Sequence, residues 1–224
     1  MKQSTRYEIE TLNAYRTRQR AEQYKHSQTA SWSWSRFTTW QEQRLLAREL
    51  SRYTWSANDR LLDIPCGTGI LGKLLNSFPF KITASDISPE MMELARGEYP
   101  ADRMVDYIRT DITNTGFVRE SFDCIVVLGF LHRVPTDIKR ATLAEIAVLS
   151  RRIAIITCSV DSPIQRLKIK LLAIIRKHHV PAPCPVSLKE IISECENANF
   201  KVVRSFMVVP FLSSEAMLVL EKVK

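Results

Sequence analysis

The chain lacks the patterns of a disulfide-stabilised, zinc-binding or membrane-spanning protein. Its five cysteines form no C-x-x-C pair, so they match neither a zinc site nor a disulfide framework. The N-terminus is polar and carries no signal-peptide core. The longest apolar run, residues 125–131, is too short to cross a bilayer. We therefore expect a cytoplasmic protein, most simply one domain with a sizeable core.

Acidic residues are also unevenly distributed. The net charge is +8, yet residues 61–150 hold nine Lys/Arg against twelve Asp/Glu. Residues 1–60 hold eleven basic and six acidic residues, and residues 163–179 hold five basic residues and no acid. The basic excess therefore lies outside the middle of the chain. It forms no long basic stripe with interleaved aromatics, which makes nucleic acid an unlikely partner.

The segment that is most informative reads as a buried strand, a glycine turn and a helix, over residues 61–75. Such a unit makes a cofactor site at the carboxyl end of a parallel sheet. Gly67, Gly69 and Gly72 fit G-x-G-x-x-G, and Asp86 ends the next apolar run, as in the dinucleotide fingerprint. Asp63 opposes that interpretation, because its carboxylate would repel a pyrophosphate at the helix N-terminus. An NAD-dependent oxidoreductase remains the alternative.

Four segments, taken in order, resemble the motifs of class I S-adenosylmethionine-dependent methyltransferases. They are Asp63-Ile-Pro-Cys-Gly-Thr-Gly69, Ala84-Ser-Asp-Ile-Ser-Pro-Glu-Met91, Arg109-Thr-Asp-Ile112 and Phe122-Asp-Cys-Ile-Val-Val-Leu128. The resemblance covers residues 60–160, and the set is specific although no single motif is. It implies an α/β fold with a doubly wound, mostly parallel seven-stranded sheet, N-terminal helices and an antiparallel C-terminal strand.

The resemblance also implies S-adenosylmethionine as cofactor and a set of binding residues. Asp63 would meet the ammonium of the methionine part, and Asp86 the ribose hydroxyls. Asp111 would accept a hydrogen bond from the adenine amino group. The full set of expected cofactor contacts is Asp63, Pro65, Cys66, Gly67, Thr68, Gly69, Asp86, Ile87, Asp111, Ile112 and Leu128. Ile87 and Ile112 would sandwich the adenine, with plain core packing as the alternative. No metal site is expected.

The methyl acceptor is less well specified. Methyltransferases of nucleic-acid bases carry an Asn/Asp-Pro-Pro-aromatic motif after strand 4, where this chain has Leu128-Gly129-Phe130. That difference favours a small-molecule or lipid-like acceptor. His132 is the candidate general base, because histidine accepts protons near neutral pH. The alternative for His132 is a structural histidine that closes the pocket. The alternative for the whole chain is a non-catalytic cofactor-binding protein.

Periodicity and turn residues predict the order of elements. Strands are expected at 60–64, 80–85, 104–109, 122–130, 152–157, 200–209 and 215–222. Helices are expected at 3–25, 38–52, 70–77, 89–97, 136–149, 163–178 and 187–197, with Ser88 and Ser187 as N-caps. Residues 1–224 then form one methyltransferase domain. Its parts are an N-terminal helical cap (1–55), a cofactor-binding core (56–160), an inserted lid segment (161–186) and a C-terminal helix and hairpin (187–224).

The inserted segment has an amphipathic pattern. Over residues 163–179, apolar residues recur at helical spacing opposite five basic side chains. Such a helix can lie in a membrane interface, so peripheral membrane contact is one hypothesis. A lid helix over the active site, with its charges in solvent, is the other and the favoured one. The oligomeric state is not specified by the sequence.

Overall fold

The protein forms a three-layer α/β structure around one mixed sheet. The computed structural model describes residue 22 and residues 34–161, 184–210 and 212–223. The helices are α1 (Trp34–Leu50), α2 (Gly72–Leu75), α3 (Pro89–Ala95), α4 (Thr136–Leu149) and α5 (Leu188–Asn197). The strands are β1 (Arg60–Asp63), β2 (Lys81–Asp86), β3 (Met104–Arg109), β4 (Phe122–Val127), β5 (Ser150–Ser159), β6 (Phe200–Met207) and β7 (Glu215–Lys222). A 3₁₀ turn, Leu131–Arg133, follows β4.

The strand order determines where the site can form. The order is β3-β2-β1-β4-β5-β7-β6, with β1 to β5 parallel and β7 antiparallel to both β5 and β6. The order reverses between β1 and β4, and ligands bind at such a switch point, beyond the carboxyl ends of the strands. The predicted seven-stranded, mostly parallel sheet with an antiparallel C-terminal strand is confirmed.

Each face of the sheet packs against its own apolar cluster. One cluster includes Leu143 and Ile146 of α4 with Ile191 of α5, and the other includes Leu46 and Leu50 of α1. The strands alternate between the two clusters, because successive side chains point to opposite faces. Helix α1 is thereby fixed over the face that carries the odd-numbered residues of β5 and β7.

Several predicted elements are confirmed closely. Helix α4 and strand β7 have the predicted bounds. Ser88 caps α3 by accepting a hydrogen bond from the Met91 N–H, and Ser187 caps α5 through the Glu190 N–H. Both follow from side-chain oxygens satisfying N–H groups that a first helical turn leaves free.

Other boundaries differ for identifiable reasons. Strand β4 ends at Val127 rather than at 130, because Gly129 takes a positive φ of 70° and its N–H bonds to the Thr157 side chain. Strand β5 is longer than predicted, because its pairing with β7 continues to Ser159. Helix α2 has four residues instead of the predicted 70–77. Helix α1 begins at Trp34, inside the stretch interpreted as a loop.

The apolar side of α1 also needs correction. Helical spacing predicts Trp40 on the apolar side of the helix at 38–52, together with Leu45, Leu46 and Leu50. In the structure Trp40 is 52% exposed, whereas Leu46 and Leu50 are buried. Six residues turn a helix by about 240° beyond one full turn, which takes Trp40 off the face of Leu46. The predicted helices 3–25 and 163–178, together with Trp32, lie outside the described residues, apart from residue 22.

Candidate functional site

A cavity lies at the carboxyl edge of the sheet, at the switch point between β1 and β4. About 420 Å³ of space lies between its lining residues, including the part that is open to solvent. Its lining comes from the end of β1, the glycine turn, the end of β4 and helix α1, and comprises Thr39, Glu42, Gln43, Asp63, Pro65, Cys66, Ile70, Leu71, Leu128 and Gly129. Two carboxyl groups and no basic side chain stand among these residues. The chemistry of the lining therefore suits a cation and not a phosphate.

Asp63 is the last residue of β1 and points at this cavity from a buried position. Tyr99 donates a hydrogen bond of 2.6 Å from its hydroxyl to Asp63 Oδ2. Burial raises the pKa of Asp63 to about 7, the hydrogen bond from Tyr99 opposes that rise, and the charge of Asp86 adds to it. A carboxyl group held in this way binds a cation well, because the cation restores the charged form.

Asp86 ends β2 and holds the glycine turn. Its Oδ2 accepts a hydrogen bond from the Gly67 N–H and its Oδ1 accepts one from the Ser88 N–H, each at 2.9 Å. Burial raises the pKa of Asp86, and these backbone donors oppose the rise. The carboxylate thus organises the backbone of the turn in addition to its predicted role toward a ribose.

The glycines of the turn have separate reasons to be glycine. Gly67 and Gly69 adopt positive φ values of 54° and 76°, which only glycine takes without strain. A Cβ on Gly67 would meet nothing within 4 Å, so this position faces open space. A Cβ on Gly72 would collide with the Glu98 carbonyl oxygen, so Gly72 permits close packing of α2.

The structure brings some predicted site residues together and leaves others apart. Asp63, Pro65, Cys66 and Leu128 line the cavity, and Gly67, Thr68, Gly69 and Asp86 form the adjoining turn and its support. Ile87 is half-buried after β2, and its carbonyl accepts a hydrogen bond from Arg109 Nε. Asp111 is exposed, and its Oδ1 accepts two hydrogen bonds from Thr113, whereas Ile112 is buried in the core. The roles of Asp111, Ile87 and Ile112 toward adenine stay predictions.

His132 lies in the 3₁₀ turn after β4 and is not among the residues that line the cavity. Arg133 Nε donates a hydrogen bond of 3.0 Å to His132 Nε2, and His132 Nδ1 lies 3.5 Å from Glu215 Oε1. Burial lowers the pKa of His132, although the charge of Glu215 opposes that effect. A neutral imidazole that accepts at Nε2 carries its proton on Nδ1, facing Glu215. Its role as general base stays a prediction.

Sequence reasoning missed the contribution of α1. Glu42 lies one turn before the buried Leu46, and Thr39 one turn earlier, so both share its face. Gln43 donates from Nε2 to the Ile70 carbonyl at 3.2 Å, which ties α1 to the glycine turn. A carboxylate four residues before a buried leucine was the available signal. Arg36, whose guanidinium is a sequence-based candidate for binding the carboxylate of the cofactor's methionine part, is exposed.

Further features bear on other functional classes. Within the described part of the chain, no group of three or more His, Cys, Asp or Glu side chains is placed to hold a metal ion. Within the same residues, no helix combines the length and apolarity that a membrane span requires.

Comparison with known proteins identifies the fold and the core. Residues 61–152 match the family model described as a methyltransferase domain. A demethylmenaquinone methyltransferase from Clavibacter sepedonicus is 27% identical over 107 residues, 48% of this chain and 43% of that protein. The chain matches less than half the length of the curated relatives.

Solved structures share the fold over nearly the whole chain. Magnesium protoporphyrin IX methyltransferase from Synechocystis PCC 6803, with S-adenosylhomocysteine bound, superposes with a TM-score of 0.78 at 14% identity and covers 94% of this chain and 97% of that one. Human N-acetylserotonin methyltransferase, in complex with S-adenosylmethionine, gives a TM-score of 0.67 at 15% identity over 96% of this chain and 60% of that chain. At these identities the likeness concerns the fold alone.

Proposed function

We propose that this chain, whose residues 61–152 match a methyltransferase domain, transfers a methyl group from S-adenosylmethionine to a small-molecule or lipid-like acceptor. The observation that carries the proposal is the cavity lining at the switch point. Asp63 and Glu42 supply two carboxyl groups there, and no Lys or Arg is among the described residues that line the cavity. A ligand with an ammonium and a sulfonium fits such a lining.

The residues of this chain would act mainly by binding and orientation. Bound S-adenosylmethionine supplies an electrophilic methyl group on a positively charged sulfur. Asp63 would fix the ammonium, and the open space above Gly67 would admit the methionine part. Because methyl transfer is an in-line displacement, alignment of donor and acceptor supplies much of the acceleration. The acceptor's proton, where one is released, needs a base, and His132 stays the predicted candidate.

Two observations bear on the class of the acceptor. The chain after β4 reads Leu128-Gly129-Phe130 and lacks the motif of base-modifying enzymes. The similarity to a demethylmenaquinone methyltransferase and the fold shared with a magnesium protoporphyrin IX methyltransferase support a small or lipid-like acceptor. Transfer from labelled S-adenosylmethionine to hydroquinones, porphyrins, phospholipids and tRNA, assayed side by side, tests this point. Transfer to tRNA alone would contradict it.

Calorimetric titration tests the cofactor and separates the alternatives. We expect S-adenosylmethionine and S-adenosylhomocysteine to bind, and NADH not to bind at millimolar concentration. The opposite result would favour the oxidoreductase. Tight binding of S-adenosylhomocysteine with transfer to no member of the acceptor panel would favour a non-catalytic cofactor-binding protein.

A further inference from the structure

Glu42 is a half-buried residue, and the packing of α1 determines its position. It precedes Leu46 by one helical turn, and Leu46 is fully buried against the sheet. The Glu42 carboxyl consequently reaches into the cavity that Asp63 enters from β1. Within the described residues, Oε1 of Glu42 is buried and has no hydrogen-bond partner. An unsatisfied buried carboxyl oxygen in a ligand cavity indicates that a ligand group completes it.

The groups that face Glu42 come from two strands. Thr157 of β5 and Glu215 of β7 lie on the same face of the sheet, since Thr157 pairs with Met217 two residues after Glu215. The Thr157 hydroxyl and the Glu215 carboxyl both interact with the Glu42 carboxyl. Glu215 has His132 Nδ1 on its other side, at 3.5 Å. Among the described residues no Lys or Arg lines this cavity, so Glu42 has no counter-cation there.

These surroundings favour the protonated form of Glu42 in the empty protein. Burial, followed by the charge of Glu215 and the interaction with its carboxyl group, raises the pKa of Glu42 well above its usual range, and the Thr157 hydroxyl opposes part of that rise. A cation brought into the cavity would reverse the effect. The proton would leave to solvent, and the carboxylate would pair with the cation.

We propose that Glu42 faces the sulfonium of S-adenosylmethionine and makes this pocket prefer the charged methyl donor to neutral S-adenosylhomocysteine. The inference rests on the proposed function and adds a residue that distinguishes substrate from product. Asp63 serves the ammonium, which both molecules carry, so it does not discriminate between them. Glu42 is the second carboxyl of the lining, and the sulfonium is the second cation of the donor. Loss of the sulfonium charge after methyl transfer would weaken the contact and favour product release.

Affinity ratios test the proposal without an acceptor. Dissociation constants for S-adenosylmethionine and S-adenosylhomocysteine are measured by calorimetry at pH 6.5, where both ammonium groups are protonated. We expect Glu42→Gln to weaken binding of S-adenosylmethionine by about tenfold or more while changing that of S-adenosylhomocysteine by less than about threefold. Glu42→Asp keeps the charge and should retain most of the preference. Asp102→Asn removes an exposed carboxylate outside the cavity and serves as the matched control.

Proton release gives a second measurement, on the unaltered protein. Titrations in buffers of different ionisation enthalpy give the number of protons released on binding. S-adenosylmethionine should release more protons than S-adenosylhomocysteine, and Glu42→Gln should abolish the difference. This readout remains decisive if Glu42→Gln fails to fold.

The outcomes separate the two levels of the proposal. Failure of the unaltered protein to bind either ligand would overturn the proposed function. Binding of both with equal proton release, or an equal loss of affinity for both in Glu42→Gln, would overturn the role of Glu42 and leave the function intact.

Discussion

Asp63 and Asp86 end neighbouring strands, and their surroundings give them different tasks. The sequence identified both from their positions after apolar runs, because parallel strands bring their carboxyl ends to one edge. It did not reveal that Asp86 accepts hydrogen bonds from two backbone N–H groups, or that Tyr99 donates to Asp63. Two of those contacts join residues 19 and 36 positions apart, and the third depends on the backbone of the turn. No local pattern encodes them.

Replacement of Asp86 by alanine tests its structural task. A role at the ribose alone predicts loss of cofactor affinity with little effect on folding. The two charge-assisted hydrogen bonds to Gly67 and Ser88 change that expectation. Asp86→Ala should lower the free energy of unfolding by about 2–4 kcal/mol in the empty protein. Urea denaturation at pH 7.5 measures this loss of stability. Asp106→Ala, which replaces an exposed residue of β3, is the control. An unchanged midpoint would show that the turn does not depend on this carboxylate.

The pKa of Asp63 predicts how stability varies with pH. Its folded pKa of about 7 exceeds the usual value of about 3.9 in an unfolded chain. The folded state thus binds the proton more tightly than the unfolded state, and this proton stabilises the fold. The stabilisation is complete below about pH 4 and is lost as the pH rises through 7. Asp63→Asn removes the contribution. We expect the variant to gain stability relative to the unaltered protein by about 1.4 kcal/mol per pH unit from pH 5 to pH 7, with little further change up to pH 8.

In the difference between the two free energies of unfolding, the contributions of all other titrating groups cancel. Chemical denaturation of both at pH 5 and pH 8 gives the difference directly. Equal differences at the two pH values would mean that Asp63 is already ionised in the empty protein. The same variant should bind S-adenosylhomocysteine more weakly, so stability would rise as affinity falls.

At the scale of elements, helix α2 shows how one glycine determines packing. Gly72 lies against the backbone of Glu98, and a Cβ there would collide with its carbonyl oxygen. Gly72→Ala should therefore lower the free energy of unfolding by about 1–3 kcal/mol, although alanine is the better helix former. Lys73→Ala, at the next and exposed position, is the control and should have little effect. A Gly72→Ala protein as stable as the unaltered one would show that α2 shifts freely.

Helix α4 is hydrogen-bonded to Cys184, the first described residue after residue 161. Lys139 is buried, and its Nζ donates a hydrogen bond of 2.6 Å to the Cys184 carbonyl. The Cys184 N–H in turn donates to the His132 carbonyl at 2.8 Å. Lys139→Met removes the first bond at similar side-chain length. Amide exchange at Cys184 should then become faster by on the order of tenfold, because local opening costs less free energy.

The exposed Lys201→Met is the control for that experiment and should leave exchange at Cys184 unchanged. If the Cys184 amide of Lys139→Met exchanges as slowly as that of the unaltered protein, contacts other than the Lys139 hydrogen bond hold Cys184 in place. The bond was not predictable from the sequence, since Lys139 lies on a helix where an exposed lysine is the usual expectation.

Element boundaries show which features local sequence determines. Helix α4 and strand β7 match their predicted bounds, because caps and apolar periodicity define them. Strand β5 extends beyond its predicted end because it pairs with β7. The last residue of β5, Ser159, pairs with Glu215, which is 56 residues later in the sequence. Pairing between distant segments sets such ends. The helix α1 was predicted, but its role in the cavity was not, because the other lining residues come from distant segments of the chain.

At the scale of the whole molecule, the five cysteines report on the integrity of the core. Four of them are buried and Cys184 is half-buried, and all five are free thiols. Burial raises the pKa of Cys158 and Cys195 to about 12 and also raises the pKa of Cys66 and Cys124. Since the thiolate is the reactive form, burial lowers reactivity both by blocking access and by suppressing ionisation.

Thiol labelling therefore measures cooperative opening of the fold. In the native protein at pH 8 we expect one thiol to react quickly with an aromatic disulfide reagent and four to react at the rate of unfolding. Cys184→Ser should remove the fast phase and leave the slow one. In urea above the unfolding midpoint all five should react at once. The buried thiols belong to both apolar clusters, so two slow phases would mean that the two faces of the sheet open separately, and more than one fast thiol in the native protein would contradict the described core.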